Sequence, residues 1–361
     1  MSLAGCKNEL LSFLRYDKSK PLKAVVMPDF FLDRLINLDW DVAEFSALVA
    51  DVAQRKGGSV DGVAQMDISG GNAVNMASAL AALGVRVVPI LCTSSFGLQQ
   101  VKYHFRDSSV DFSHVKIYDK ASITTALELK TERGKVNVML RDVGALADFG
   151  PEDLTEDDYA LIEDADYVCL FNWAGTKNKG TALAQTVFGR VKRTGRGKTY
   201  YDTADPLPNK AGIADLLEKV LKTSQVDILS LNENEAVCYA SLLDESIEER
   251  KGQLGFTELA LEAARVLAKR FSSRIDLHTT AFSATLSGNR EVVVPTFKVE
   301  ALRATGAGDA WNAGNVLGDG NGLSDECRLM LANAVSACYL SDADGLHPSW
   351  RKLERFISDS L

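Results

Sequence analysis

The residues best placed to do chemistry stand in the run Arg303–Ala304–Thr305–Gly306–Ala307–Gly308–Asp309–Ala310–Trp311–Asn312–Ala313–Gly314. Two glycines let the backbone turn sharply, so the amides of Gly306, Ala307 and Gly308 can converge at the start of a helix. Converging amides and the helix dipole together make a site for an anion. Asp309 falls in the first turn of that helix, beside a place built for negative charge. A carboxylate so placed can take a proton from a hydroxyl that attacks a phosphoryl group. The plainer reading is a glycine turn whose Asp309 only complements the dipole.

Four other stretches carry usable groups. Asn232–Glu233–Asn234–Glu235 follows an apolar segment and opens a helix, with Asn232 and Glu235 three apart at its mouth. That is the spacing of a capping box, which needs no ligand, and it is also a pair of hard oxygen donors suited to Mg²⁺ held through water. In Gly70–Gly71–Asn72–Ala73–Val74–Asn75 the glycines let backbone approach a ligand, while Asn72 and Asn75 offer donors and acceptors for hydroxyls. The bland alternative makes Asn72 a helix cap. Asp29 and Asp33 follow the first strand, where a solvated turn acid is the simpler expectation for each, and Asp202 and Asp205 stand at the end of another strand. His278 has no partner histidine at metal-binding spacing and reads as a packed or capped side chain.

Together these runs resemble the PfkB, or ribokinase-like, carbohydrate kinases, over about Val25 to Leu346. The resemblance implies that Asp309 is the catalytic base and that Gly306, Ala307 and Gly308 form the anion hole. It implies a magnesium–phosphate water network organised by Asn232 and Glu235, and a sugar held by Asp33, Gly70, Gly71 and Asn75. Thr279, Asn232 and Asn333 would lie on the nucleotide side, with Asp202 near the phosphates. Three departures stand out: Arg303 where the family has an acid, Pro28 where it has glycine, and Ala281 where glycines shape the phosphate loop. ATP is the donor the resemblance implies, with ADP as the alternative because some archaeal relatives use it.

The elements that must position these groups alternate. Apolar runs at 23–31, 85–91, 166–173, 198–202, 226–231 and 275–280 have the length of buried parallel strands. Helical periods at 41–55, 180–193, 213–222, 257–271, 323–340 and 349–358 fall between or after them. This predicts an α/β fold with a mostly parallel sheet covered on both faces. Residues 94–138 alternate instead and predict a hairpin-like sheet around the turn Glu132–Arg133–Gly134–Lys135. One domain over 1–361 is expected, with lid segments at roughly 34–68 and 94–140.

Composition narrows the partners. With 361 residues, 46% hydrophobic content and a net charge of −9, nucleic acid and anionic membrane are disfavoured. Six scattered cysteines without a Cys-x-x-Cys read as buried free thiols in a reducing cytosol, so a cytoplasmic location is expected. Thr194–Gly195–Arg196–Gly197–Lys198–Thr199 is no P-loop, because Lys192 stands where glycine is needed and a strand follows. Trp311 occupies the third glycine position of a dinucleotide fingerprint, which disfavours hydride transfer. The expected activity is phosphoryl transfer to a hydroxyl of a sugar-like acceptor. The alternatives are a nucleoside kinase of the same fold, with 96–125 stacking a base, and a binding-only sugar or nucleotide sensor. An exposed β lid would suit a homodimer.

Overall fold

The computed structural model describes residues 3–15, 20–106, 108, 110–132, 134–303 and 305–360. Arg133 of the expected turn and Ala304 of the glycine run lie outside them. In chain order the strands are β1 (Lys23–Met27), β2 (Phe31–Asp41), β3 (Ala64–Gly70), β4 (Arg86–Pro89), β5 (Cys92–Ser94), β6 (Lys116–Tyr118) and β7 (Ser122–Thr131). There follow β8 (Gly134–Asp142), β9 (Tyr167–Phe171), β10 (Lys198–Asp202), β11 (Ile228–Leu231), β12 (Arg274–His278), β13 (Phe282–Ser287) and β14 (Arg290–Pro295).

Eight of these make one sheet in the order β14-β13-β12-β11-β10-β9-β1-β4. From β4 to β12 neighbours run parallel, and the β13–β14 hairpin closes one edge antiparallel. Both faces are covered because successive residues of each central strand point opposite ways. Val25, Met27, Val168 and Leu170 face a core shared with helices Gly180–Thr194 and Phe256–Arg270. Ala24, Val26, Tyr167 and Cys169 face the other core, with helices Asn72–Ala82, Ala307–Gly320 and Asp325–Leu340. The mostly parallel α/β architecture expected from the alternation is the one observed.

A second sheet, in the order β3-β2-β7-β8, stands apart from the first. Strand β2 pairs parallel with β7, while β3 and β8 flank them antiparallel. The β7–β8 hairpin is the one the alternation predicted. Residues Ser95–His104 of the same stretch are instead helical, capped by the Ser94 hydroxyl, which accepts from the Gly97 amide at 3.1 Å. Helix Val42–Gln54 forms behind a closed Asp41–Glu44 capping box, yet it buries none of its apolar residues. Helix Leu3–Arg15, absent from the sequence reading, buries Cys6, Leu10 and Phe13, and Phe13 packs 5.2 Å from Trp350. None of the six cysteines is in a disulfide. Among the described residues no helix is long and apolar enough to cross a membrane.

Candidate functional site

Parallel strands deliver their C-terminal ends to one edge of the sheet, and the candidate groups collect there. The glycine pair at the head of helix Asn72–Ala82 is required by the chain's own close approach. Gly71 has φ of +102°, and a Cβ there would come within 2.9 Å of the Asp29 carbonyl oxygen and Phe30 Cα. A Cβ at Gly70 would run into the Asp33 carboxylate. Asp29 then caps the helix from outside it, accepting from the amides of Asn72 and Ala73 and from Asn172 Nδ2, each at 2.9 Å. Asn72 is therefore not the cap. Its side chain donates to Asp309 Oδ1 at 2.9 Å, and Asn75 donates to Asp309 Oδ2 at 2.9 Å.

Gly306, at φ +83°, turns the chain into helix Ala307–Gly320, and a Cβ there would lie 2.7 Å from the Tyr339 hydroxyl. The first amides of that helix have no intrahelical acceptor. Buried amide side chains fix it to the strand ends beneath. Asn312 Nδ2 donates to Asp202 Oδ2 at 2.8 Å, while Asn312 Oδ1 accepts from Tyr200 and Ser230 at 2.7 and 2.6 Å. At the neighbouring helix mouth the Asn232–Glu235 capping box is closed, with both Glu235 oxygens 2.8 Å from Asn232 donors. The bland reading of that spacing is thus realised, and Glu235 is nonetheless a buried carboxylate facing others.

Four buried acids share this edge, and their fields add. Burial pushes the Asp309 carboxyl well above the ordinary range, with Asp202 and Asp29 adding repulsion that Asn75 and Asn72 only partly offset. Glu235 moves the same way, from burial first and then from Asp202, Asp205 and Asp309. Asp202 is raised to about 6 by burial and by Asp29, against its bonds to Ala204 and Asn312. Asp29 is raised by burial, its three donors holding it back. Asp33, beside Gly70, is raised by burial as well. Among the described residues none of Asp29, Asp202, Glu235 and Asp309 has an ion-pair partner. Carboxylates left to repel one another in a cleft suit a cation. No three acids, histidines or cysteines among the described residues stand close enough to ligate a metal directly. A hydrated divalent ion fits that pattern, since Mg²⁺ keeps several of its waters.

Two cavities meet at the glycine run. One of ≈ 790 Å³ is lined by Ala307, Gly308, Trp311, Thr279 and Asn333, among others. Asn333 is buried, accepting from Ser283 and Trp311 at 2.5 and 2.9 Å and donating to the Pro295 carbonyl at 3.1 Å. The Thr279 hydroxyl closes its own turn, donating to the Phe282 carbonyl at 2.6 Å. His278 packs 5.0 Å from Trp311 beside Gly308, and burial lowers its pKa to about 4, so the ring is neutral. The second cavity, ≈ 490 Å³, runs under the second sheet and is lined by Asn75, Thr305, Ile68 and Ser69, among others.

Of the residues singled out from sequence, Asp309, Asn72 and Asn75 touch directly, Asp202 and Asp29 act on Asp309 through their charge, and Asp309 with Asp202 acts on Glu235. Sequence reasoning missed the capping role of Asp29 and the anchoring role of Asn312. The second had a faint signal, a polar residue three positions past Asp309 inside an apolar helix.

A family model described as pfkB family carbohydrate kinase matches residues 47–350. The ribokinase of Bacillus subtilis (strain 168) is 31% identical over 115 residues, so the match spans 30% of this chain and only 38% of that protein. Among solved structures, the adenosine kinase of Sinorhizobium meliloti superposes with a TM-score of 0.70 at 18% identity, over 95% of this chain and 100% of that one. The Arabidopsis thaliana ribokinase complexed with ribose and ATP gives 0.70 at 18% identity, over 94% and 99%. At such identities the structural likeness speaks for the fold.

Proposed function

The chain belongs to the pfkB family of carbohydrate kinases, and from that premise we propose that it transfers a phosphoryl group from a nucleotide to a hydroxyl of a sugar-like acceptor. The observation that carries this reading is the Asp309 carboxylate, gripped by Asn72 and Asn75, at the start of a helix whose glycine turn borders both cavities. In this reading the acceptor enters beside Asn75 and Asp33, and its hydroxyl gives its proton to Asp309 as it attacks. The raised Asp309 pKa makes the carboxylate a stronger base than a free one. The amides of Gly306, Ala307 and Gly308 meet the charge developing on the transferred group. The donor, ATP or ADP, takes the larger cavity along Thr279 and Asn333. Asn232 and Glu235, with Asp202 near, would hold Mg²⁺ through water, and that ion supplies charge neutralisation at the phosphates. The second sheet serves as the lid of a single domain. Exposed Ile123, Val138 and Leu140 on one of its faces suit pairing with a second copy.

A nucleoside acceptor is a second reading, supported by one side chain. Tyr103, 68% exposed, lines the smaller cavity and could stack on a base. The deciding experiment measures nucleotide consumption with Mg²⁺ over sugars, sugar phosphates and nucleosides, with ATP and ADP tried separately. Asp309→Asn serves as the blank. Product that vanishes with the blank supports the kinase. Ligand-induced stabilisation without product would favour a binding-only protein.

A further inference from the structure

We propose that Arg141, on the outer strand of the second sheet, is a positioning residue that supplies the countercharge for Asp33. The proposal rests on the kinase reading above, in which Asp33 meets an acceptor hydroxyl. The register of the sheet puts the two side chains on one face. Asp33 on β2 stands opposite Thr124 on β7, and Thr124 stands opposite Arg141 on β8. Residues directly opposite one another in a sheet point the same way, so the three form a row. Arg141 reaches back along that row. Its guanidinium lies 4.9 Å from the ring centre of Phe31, which is two residues before Asp33 and so on the same face. Two strand spacings, about 9–10 Å, separate β8 from β2, a gap that only a long side chain crosses. The buried Phe31 ring, 3% exposed, gives the cation a fixed seat at the end of that reach.

Asp33 has need of that charge. Its carboxylate is pressed against Gly70, where a Cβ would collide with it, and burial favours its neutral form. The Thr124 hydroxyl donates to it, while Oδ1 is buried without a hydrogen-bond partner. Oδ1 is thus the oxygen open to an acceptor hydroxyl, and a charged carboxylate makes the stronger bond to it. Among the described residues two charged groups act on Asp33. Asp29, from the loop after β1, repels it, and Arg141 attracts it. Strand β3 sets only Ile68 opposite it, and the next row on the face, Leu35, Ala126 and Met139, is apolar. Among the described residues Arg141 makes no ion pair, so no nearer acid answers its charge.

The test measures kcat and KM of the intact chain from acid to alkaline pH, with the acceptor and nucleotide that the panel above identifies. Arg141→Gln should raise the acceptor KM by ~3–10-fold at the acid end, where losing the countercharge lets Asp33 protonate. The loss should vanish at alkaline pH, where Asp33 is ionised with or without Arg141. Neither kcat nor the nucleotide KM should move. Arg141→Lys should recover most of the loss, because the role asks for a charge rather than a planar fork. With Asp33→Asn already in place, Arg141→Gln should change nothing further. Arg141 is exposed, so its variants should melt with the parent. A loss equal at every pH, or one that persists beside Asp33→Asn, makes the guanidinium a direct substrate contact and overturns the proposal. An acceptor KM unchanged at the acid end, or a rise in nucleotide KM instead, also overturns it and leaves the kinase standing. Equal silence from the protein and from Asp309→Asn with every acceptor overturns both readings.

Discussion

Asp309 and Asp276 are both aspartates almost wholly removed from water, 4% and 0% exposed, and their carboxyls move in opposite directions. Burial alone would raise both. At Asp276 it is overcome by Arg274 and Arg328, which with Asn315 and Thr285 hold that carboxyl far below the ordinary range. At Asp309 burial is reinforced by Asp202 and Asp29. One helix serves the two regions. Asn312 reaches the acidic cluster through Asp202, and Asn315, one turn on, reaches Asp276 at 2.8 Å. The Tyr200 hydroxyl bridges them, donating to Asn312 and accepting from Asn315 at 3.2 Å. The difference separates two uses of a buried acid. One finds its countercharge inside the fold and holds the structure together. The other is left without one and keeps that place for a ligand.

The widest separation between the regions should come from turnover. Asp309→Asn should lower kcat by ~10²–10⁴-fold, the range for a lost general base, while the melting temperature holds or rises because a repelled charge is gone. Turnover that survives would end the base assignment. Asp276→Ala should do the reverse, sparing chemistry in whatever remains folded but costing about 3–5 kcal/mol, because Arg274 and Arg328 lose their buried partner. Urea unfolding measures it, and a loss below about 1 kcal/mol would show that network to be dispensable.

Acid and base should also divide the two. Asp276, depressed, contributes stability that is present above about pH 3.9 and is lost as pH falls towards its folded pKa. Asp202, raised to about 6, favours the fold when protonated, so stability should fall as pH rises from about 4 through 6. Asp202→Asn should flatten that upper slope. Mg²⁺ should flatten it too in the parent protein, and less in Glu235→Gln. A slope untouched by either would disconnect the acids from any cation. Gly306→Ala should have the smallest effect, about 1–2 kcal/mol for a side chain forced to positive φ, read as a lower melting temperature with reduced kcat.

Much of the frame could be read from the chain alone, because a strand buried on both faces must be a continuous apolar run. Lys198–Asp202 was expected and found with the same bounds, and the helices Gly180–Thr194 and Phe256–Arg270 differ from expectation by a residue. The glycine run and Asp309 stood out because positive φ and helix-start amides leave a mark in local sequence. Helix Ser95–His104 was hidden by its short, mixed pattern, and the exposed apolar face of Val42–Gln54 by a period that says nothing of what covers it.

Sequence by itself determined most strands and helices of the main sheet, where the backbone must be glycine, and which acids could act. Only the tertiary structure decided their partners. Asn72 lies 237 positions from Asp309, Asp29 lies 43 from the helix it caps, and Asn312 lies 110 from Asp202. A hydrogen bond or a Coulomb field depends on ångströms in space, and no local period records which distant residue will supply it. So the same letter in the sequence, aspartate, became a structural anchor at 276 and a candidate base at 309.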